Sequence, residues 1–103
     1  MYNKYRNIKT EIDGIVFDSK KEAAKYCELK MRVKCEDLIK FERQVPFIIM
    51  VNNTKICTYY ADFVTYSKAG IREVLDVKGV KTQIYRLKKK LIKALYNIDI
   101  IDC

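Results

Sequence analysis

The chain has 103 residues, of which 50% are hydrophobic and 33% charged, and its formal net charge at pH 7 is +8. This length predicts a single domain spanning residues 1–103, and the composition is that of a globular chain rather than a disordered one. The sequence contains no histidine, which excludes the usual zinc sites, histidine-based triads and imidazole acid–base chemistry. Without an apolar run of ~20 residues or a signal peptide, we expect a cytoplasmic protein with no membrane partner and no small-molecule cofactor.

The N-terminal part predicts a small hairpin followed by a helix. An Asp-Gly pair at positions 13–14 is typical of a hairpin turn within residues 4–18. Ser19 followed three residues later by Glu22 is a capping-box pattern, and we expect the helix that it starts to run to about Lys34. The apolar side of this helix is predicted from Ala23, Tyr26, Cys27, Met31 and Val33.

Three strands are predicted next. Residues 38–51 and 55–67 are rich in β-branched and aromatic side chains, and an Asn-Asn turn joins them. Pro46 indicates a bulge or an edge position in the first of these strands. Residues 68–70 turn the chain into a third strand over residues 71–79.

The C-terminal part predicts a helix over residues 82–97, with Thr82 as its N-cap, and a short strand over residues 98–102. Apolar residues at helical spacing predict the buried side of the helix: Ile84, Leu87, Leu91, Ile92 and Leu95. A helical crossover makes the last strand parallel to the third one. We therefore expect an α/β fold, with a mixed sheet flanked by helices and an N-terminal hairpin.

The four cysteines, at positions 27, 35, 57 and 103, show no CxxC spacing. We expect reduced and mostly buried thiols rather than disulfides.

Positive charge is concentrated after the third strand. Seven cations and no acid occur between positions 78 and 98: Lys78, Lys81, Arg86, Lys88, Lys89, Lys90 and Lys93. Such a block suits a polyanion such as DNA, although it is also compatible with an ordinary solvated helix face. Lys81, Arg86 and the three lysines at 88–90 are candidate phosphate contacts. Tyr85 is a candidate for stacking on a base, with core packing as the alternative.

Two acids and a lysine lie in the predicted hairpin of residues 55–79. A three-residue loop sets a register that places Asp62 directly opposite Asp76, with Lys78 on the same face as Asp76. Two carboxylates so close repel each other, and a bridging Mg²⁺ or Mn²⁺ ion would remove that repulsion. A lysine beside the ion could orient a bound water and stabilise charge on a phosphate. The alternative is that Lys78 neutralises two exposed acids on an open sheet face.

Several stretches resemble a known superfamily. "ADF" at residues 61–63 and "REVLDVKG" at 72–79 resemble the bipartite signature of the PD-(D/E)XK nucleases, and the predicted αβββαβ order resembles their restriction-endonuclease-like core. "IDGIVFDSKKEAAKYCELK", "FERQVPF" and "DVKGVKTQIYRLKKKL" more narrowly resemble small phage and prophage proteins of that superfamily. Those proteins are predicted endonucleases related to resolvases of branched DNA. Ala61 departs from the proline that commonly precedes the first acid.

The resemblance implies roles for individual residues. Asp62 and Asp76 would bind one or two Mg²⁺ ions, for which Mn²⁺ substitutes, and Lys78 would assist the attacking water. Glu22, with Glu28 as second choice, would add a ligand from the first helix, unless its side chain folds back as part of the capping box. Gln44 would reach the site or a phosphate, or be a polar residue beside a bulge.

The resemblance therefore implies a magnesium-dependent DNA endonuclease that leaves 5′-phosphate and 3′-hydroxyl ends. Branched DNA such as a Holliday junction, an intermediate of DNA recombination, is the expected substrate. Symmetric cutting of two strands would call for a homodimer. Two alternatives share the fold: a non-catalytic DNA-binding module, and a phage accessory subunit whose basic stretch binds an acidic protein.

Overall fold

The computed structural model of the protein describes residues 9–77 and 81–103, and the predicted order of elements is confirmed within them. The elements are β1 (Thr10–Ile12), β2 (Ile15–Phe17), α1 (Lys20–Lys34), β3 (Leu38–Val51), β4 (Thr54–Ser67), β5 (Arg72–Asp76), α2 (Gln83–Tyr96) and β6 (Ile100–Asp102). The predicted start of the first hairpin at residues 4–8 and the predicted strand end at 78–79 lie outside the described residues.

The other four strands form one mixed sheet in the order β3-β4-β5-β6. The pairs β3–β4 and β4–β5 are antiparallel, and β6 lies parallel to β5, as the helical crossover predicts. β1 and β2 form a separate two-stranded hairpin. Pro46 lies in β3, at one edge of the sheet, where its missing N–H group costs no inner ladder bond.

Local sequence signals explain where the helices and turns occur. The Ser19 hydroxyl accepts a hydrogen bond from the Glu22 N–H at 3.1 Å, and Thr82 caps α2 in the same way through Tyr85. Asn52 and Asn53 have φ angles of 50° and 63°, and two positive φ angles are what a tight two-residue hairpin turn requires.

Two groups of buried side chains cover the two faces of the sheet. Helix α1 packs one group, in which Leu29 and Phe63 are fully buried, and Leu75 and Val77 join them. Helix α2 packs the other group, which contains Tyr59, Val64, Val74 and Ile92. The sheet therefore forms the middle layer of an α/β arrangement.

The predicted buried side of α2 is only partly right. Ile92 is fully buried and Tyr85 is nearly so, whereas Ile84, Leu87 and Leu95 are exposed. The apolar arc of this helix is wider than the strip that the sheet covers. The rotation of the helix is fixed by hydrogen bonds from the Lys88 Nζ to the Thr58 carbonyl and from the Tyr96 hydroxyl to the Ile48 carbonyl.

The prediction for α1 and for the cysteines also needs correction. Cys27 and Met31 are exposed, and Leu29 takes the central buried position of α1. All four cysteines are free, but Cys27 and Cys35 are exposed and the other two are half-buried, so the prediction of mostly buried thiols is wrong. No helix in the described part of the chain is long and apolar enough to cross a membrane.

Candidate functional site

The site lies where β3 and β4 exchange the faces to which their side chains point. On β4, Ala61 packs in the α2 group and Phe63 in the α1 group, although regular alternation would put both on one face. On β3, Phe41 packs against the α1 group and Val45 against the α2 group, with the same break in alternation. The break therefore falls on Gln44 and Asp62, which face each other across the strand pair.

Gln44 produces this break through its backbone. Its φ angle is +49°, a left-handed conformation that is uncommon for a residue other than glycine, and the regular pairs Arg43↔Phe63 and Val45↔Ala61 flank it. The Gln44 amide Nε2 donates to Glu22 Oε2 and to Asp62 Oδ1, both at 3.3 Å. One amide group thus links a carboxylate of α1 to a carboxylate of β4.

The Glu22 side chain does not fold back on the capping box, which was the alternative to a place in the site. Its backbone N–H caps the helix through Ser19, while its carboxylate lies against Gln44 instead of folding back on the cap. Glu22 is buried, and this burial raises the pKa of its carboxyl group, with the nearby Asp62 charge as the next cause. Glu28, the second choice, is exposed and pairs with Lys25, away from Gln44.

Asp62 is held from two sides. Its Oδ1 atom accepts from Gln44, and its Oδ2 atom accepts the backbone N–H of Val77 at 2.7 Å. The β4–β5 register pairs Phe63 with Leu75, which confirms the predicted register. Asp62 therefore lies beside Asp76 and Val77, at the end of β5.

Asp76 is fully buried on the α2 side of β5. Its Oδ2 atom accepts a hydrogen bond of 2.5 Å from the Tyr59 hydroxyl, and its backbone pairs with Asp102 of β6. The prediction that Asp62 and Asp76 share one face assumed a regular pleat in β4. Because the pleat breaks at Asp62, that carboxylate contacts the α1 side while Asp76 contacts Tyr59.

Burial and the charges of both acids raise the pKa values of two tyrosines. Burial raises the pKa of the Tyr59 hydroxyl well above its usual value, and the Asp76 hydrogen bond adds to the effect. Burial also raises the pKa of Tyr85, whose hydroxyl donates to Asp102, and the charges of Asp76 and Asp62 contribute further. The two rings lie 6.4 Å apart between their centroids. Tyr85 thus packs in the core, which was the alternative to stacking on a base.

The basic stretch is partly neutralised by acids that follow it in the sequence. Lys81 and Lys89 form ion pairs with Asp102 at 3.3 and 2.9 Å, and Lys93 pairs with Asp99 at 3.0 Å. Asp102 accepts hydrogen bonds from Tyr85 and from Lys89. These bonds, the one from Tyr85 most of all, lower the pKa of its carboxyl group to about 2. Arg86 and Lys90 are exposed and line a groove of about 380 Å³ with Lys89, Lys93 and the segment 98–100.

The structure thus brings together Glu22, Gln44, Asp62 and the neighbouring Asp76, whereas Lys78 lies outside the described residues. Within residues 9–77 and 81–103, no three acidic or thiol side chains lie close enough together to hold a metal ion.

Tyr59 and Asp102 contact the site, although no sequence pattern predicted a role for either. Tyr59 stood among several strand tyrosines without a distinguishing neighbour, and Asp102 stood in a short terminal strand. The predicted parallel pairing of β6 with the third strand was the one signal that could have brought Asp102 beside Asp76.

Comparison with known proteins gives a family but no activity. A family described as "Protein of unknown function (DUF1064)" matches residues 2–100, and the chain belongs to this family. Neither the curated proteins nor the solved structures contain a match to the chain.

Proposed function

We propose that this chain is a metal-dependent endodeoxyribonuclease with a restriction-endonuclease-like core of the PD-(D/E)XK type. The observation that carries the proposal is the Gln44 amide, which lies within 3.3 Å of the carboxylates of both Glu22 and Asp62. Three elements that are distant in the sequence supply these groups, and Asp76 lies beside them at the end of β5. The resemblance of the 61–63 and 72–79 stretches to the nuclease signature supports the same conclusion.

The donor groups fit a hard divalent cation. Carboxylate and amide oxygens suit Mg²⁺ or Mn²⁺, and one or two carboxylates with retained waters are enough to bind Mg²⁺. Asp62 and Asp76, with Glu22 as a further ligand, would hold the ion once their side chains turn toward it. The turn is needed because Asp62 contacts Gln44 on the α1 side and Asp76 contacts Tyr59 on the α2 side. Rotation of the Gln44 amide would present its Oε1 atom instead of Nε2, so the same residue could accommodate either the bare carboxylates or a cation. When bound, such an ion supplies an activated water and stabilises charge on the phosphate.

The remaining roles belong to the cations and the tyrosine. Lys78 would lie beside the attacking water and the scissile phosphate, as the superfamily resemblance implies. Tyr59 would fix the orientation of the Asp76 carboxylate through its 2.5 Å hydrogen bond. Arg86 and Lys90, exposed on α2, would bind backbone phosphates and leave the sequence of the DNA largely unread. The products would carry 5′-phosphate and 3′-hydroxyl ends.

A non-catalytic DNA-binding module is the second candidate. The observation that favours it is the set of protein hydrogen bonds that already hold Glu22, Asp62 and Asp76. A module of this kind would bind DNA through α2 with or without a divalent cation.

A cleavage assay separates the two functions. The purified chain is incubated with supercoiled plasmid and with a synthetic four-way junction, each in Mg²⁺, Mn²⁺ or EDTA. We expect metal-dependent cleavage, faster on the junction, that is lost in Asp62→Asn, Asp76→Asn and Lys78→Ala.

The matched control is Glu28→Gln, which changes an exposed acid of the same helix as Glu22. It should cleave like the wild type. If the wild type binds the junction but cuts neither substrate in any metal, or if Asp62→Asn and Asp76→Asn cut normally, the chain is not this nuclease.

A further inference from the structure

The hairpin formed by β3 and β4 extends as an arm, residues 45–60, with an unusual composition. Among its sixteen residues Lys55 is the one charged residue, in a chain of which 33% is charged. The cations that give the chain its charge of +8 therefore lie elsewhere. The arm is thus a long segment with one charge in a strongly basic protein.

One face of the arm is packed against α2 and holds the arm in place. Ile49 of β3 and Tyr59 of β4 belong to the buried group under α2, and the partly buried Phe47 packs against it. The Tyr96 hydroxyl and the Lys88 ammonium group of α2 donate hydrogen bonds to backbone carbonyls of the arm, at 2.5 and 3.3 Å. The position of the arm is thus fixed by the fold.

The opposite face of the arm is apolar and exposed. Alternation along the two strands puts Pro46, Ile48, Thr58 and Tyr60 on it, in the pairs Pro46↔Tyr60 and Ile48↔Thr58. The register shifts after Ile49, so Met50 pairs with Lys55 and Ile56 is the extra residue beside them. Ile48, Met50, Ile56 and Tyr60 retain 49%, 43%, 55% and 56% of their accessible surface. Four large apolar side chains exposed in one patch, on the order of a few hundred Å², are typical of an interaction surface.

We infer that this face is the interface with a second copy of the chain. Two chains of charge +8 repel each other, so they can approach closely only through a surface that carries few cations. The arm face carries one cation, Lys55 opposite Met50, and so meets this condition, and a two-fold axis would place it against itself. DNA and acidic proteins would instead need cations on the face that they bind, which makes them poor partners for this one.

The area of the face limits the association but does not by itself determine its strength. A stable dimer of standard size buries roughly 800 Å² on each partner, and a patch of a few hundred Å² is smaller than that. We therefore expect a reversible dimer with a dissociation constant on the order of micromolar. Salt should strengthen it, because salt screens the repulsion between the two charged bodies while the interface holds few charges. This inference is independent of the nuclease proposal.

Sedimentation velocity of the full chain over the micromolar range tests the inference. The wild type should shift with concentration from a species of 12.2 kDa towards one of twice that mass. Ile56→Lys and, independently, Tyr60→Lys should weaken association at least about tenfold, since each would bury an unpaired charge. Circular dichroism checks that both variants stay folded.

Leu87→Lys is the matched control, because Leu87 is a similarly exposed apolar residue, at 58%, on α2. It should dimerise like the wild type. A wild type that stays monomeric throughout would overturn the inference. So would a dimer that Ile56→Lys and Tyr60→Lys leave intact, or one that Leu87→Lys disrupts as much as they do.

Discussion

Gln44 is the residue on which the candidate site depends. A left-handed conformation costs a non-glycine residue roughly 1–2 kcal/mol, and Gln44 adopts it in the middle of a fourteen-residue strand. What offsets this cost is the amide, which separates two carboxylates that would otherwise repel each other in a buried place. No turn residue or glycine marks position 44, and the bulge or edge position that Pro46 predicted nearby does not specify a left-handed residue there.

Replacing the amide tests this account. Gln44→Leu should lower the free energy of unfolding at pH 7 by about 1–3 kcal/mol, because Glu22 and Asp62 lose their shared donor. Millimolar Mg²⁺ should recover part of the loss if a cation can take the place of the amide. Urea unfolding in EDTA and in Mg²⁺ measures both effects. Gln83→Leu, at an exposed glutamine of α2, should change neither value appreciably.

Glu22 gives a prediction about pH. Burial raises the pKa of its carboxyl group above the ordinary value of 4.5, so the folded state holds the proton to higher pH than the unfolded state does. Ionisation of Glu22 therefore lowers the free energy of unfolding as pH rises from about 4.5 through the folded-state pKa. Glu22→Gln removes this contribution and keeps an acceptor for Gln44.

In metal-free buffer, Glu22→Gln should gain stability over the wild type as pH rises from 4 to 7, while the two should differ least at pH 4. Thermal unfolding at several pH values measures the difference. A difference that stays constant across this range would show that Glu22 has an ordinary pKa.

At the scale of the elements, local sequence signals determine where most helices and turns begin and end. The caps at Ser19 and Thr82, the Asn-Asn turn and the three-residue loop of β4–β5 follow from short-range hydrogen bonding and backbone preference, and all were predictable. The side of α2 that is buried was not predictable, because the apolar arc of this helix is wider than its contact with the sheet. Periodicity defines such an arc but not the part of it that the sheet covers.

Two truncations on α2 compare a residue that the sheet covers with an apolar residue that it leaves exposed. Ile92 is fully buried, so Ile92→Ala should cost about 2–5 kcal/mol of unfolding free energy. Leu87 is exposed at the centre of the stripe that periodicity favoured, and Leu87→Ala should cost less than about 1 kcal/mol. Equal losses in urea unfolding would mean that the helix packs through the stripe predicted from the sequence.

At the scale of the whole molecule, the fold changes how the positive charge is distributed. The sequence shows seven cations without an acid from position 78 to 98, which predicts a basic stretch suited to a polyanion. The fold brings Asp99 and Asp102 of the C-terminal segment back against Lys81, Lys89 and Lys93. Within the described part of the chain, Arg86 and Lys90 form no ion pair. These ion pairs depend on β6 lying beside β5. The predicted parallel crossover was the one sequence signal for that placement.

This distribution predicts which cations bind DNA. Each phosphate contact contributes about 0.9 to the slope of log K against log salt concentration, so the double variant Arg86→Ala/Lys90→Ala should lower that slope by about 1.8. The double variant Lys20→Ala/Lys34→Ala changes two exposed lysines of α1, which packs on the other face of the sheet, and should leave the slope unchanged. Fluorescence anisotropy with a labelled four-way junction, titrated at several salt concentrations in EDTA, measures both slopes. Equal decreases in the two variants would mean that DNA is attracted by the total charge of the protein and not by the exposed face of α2.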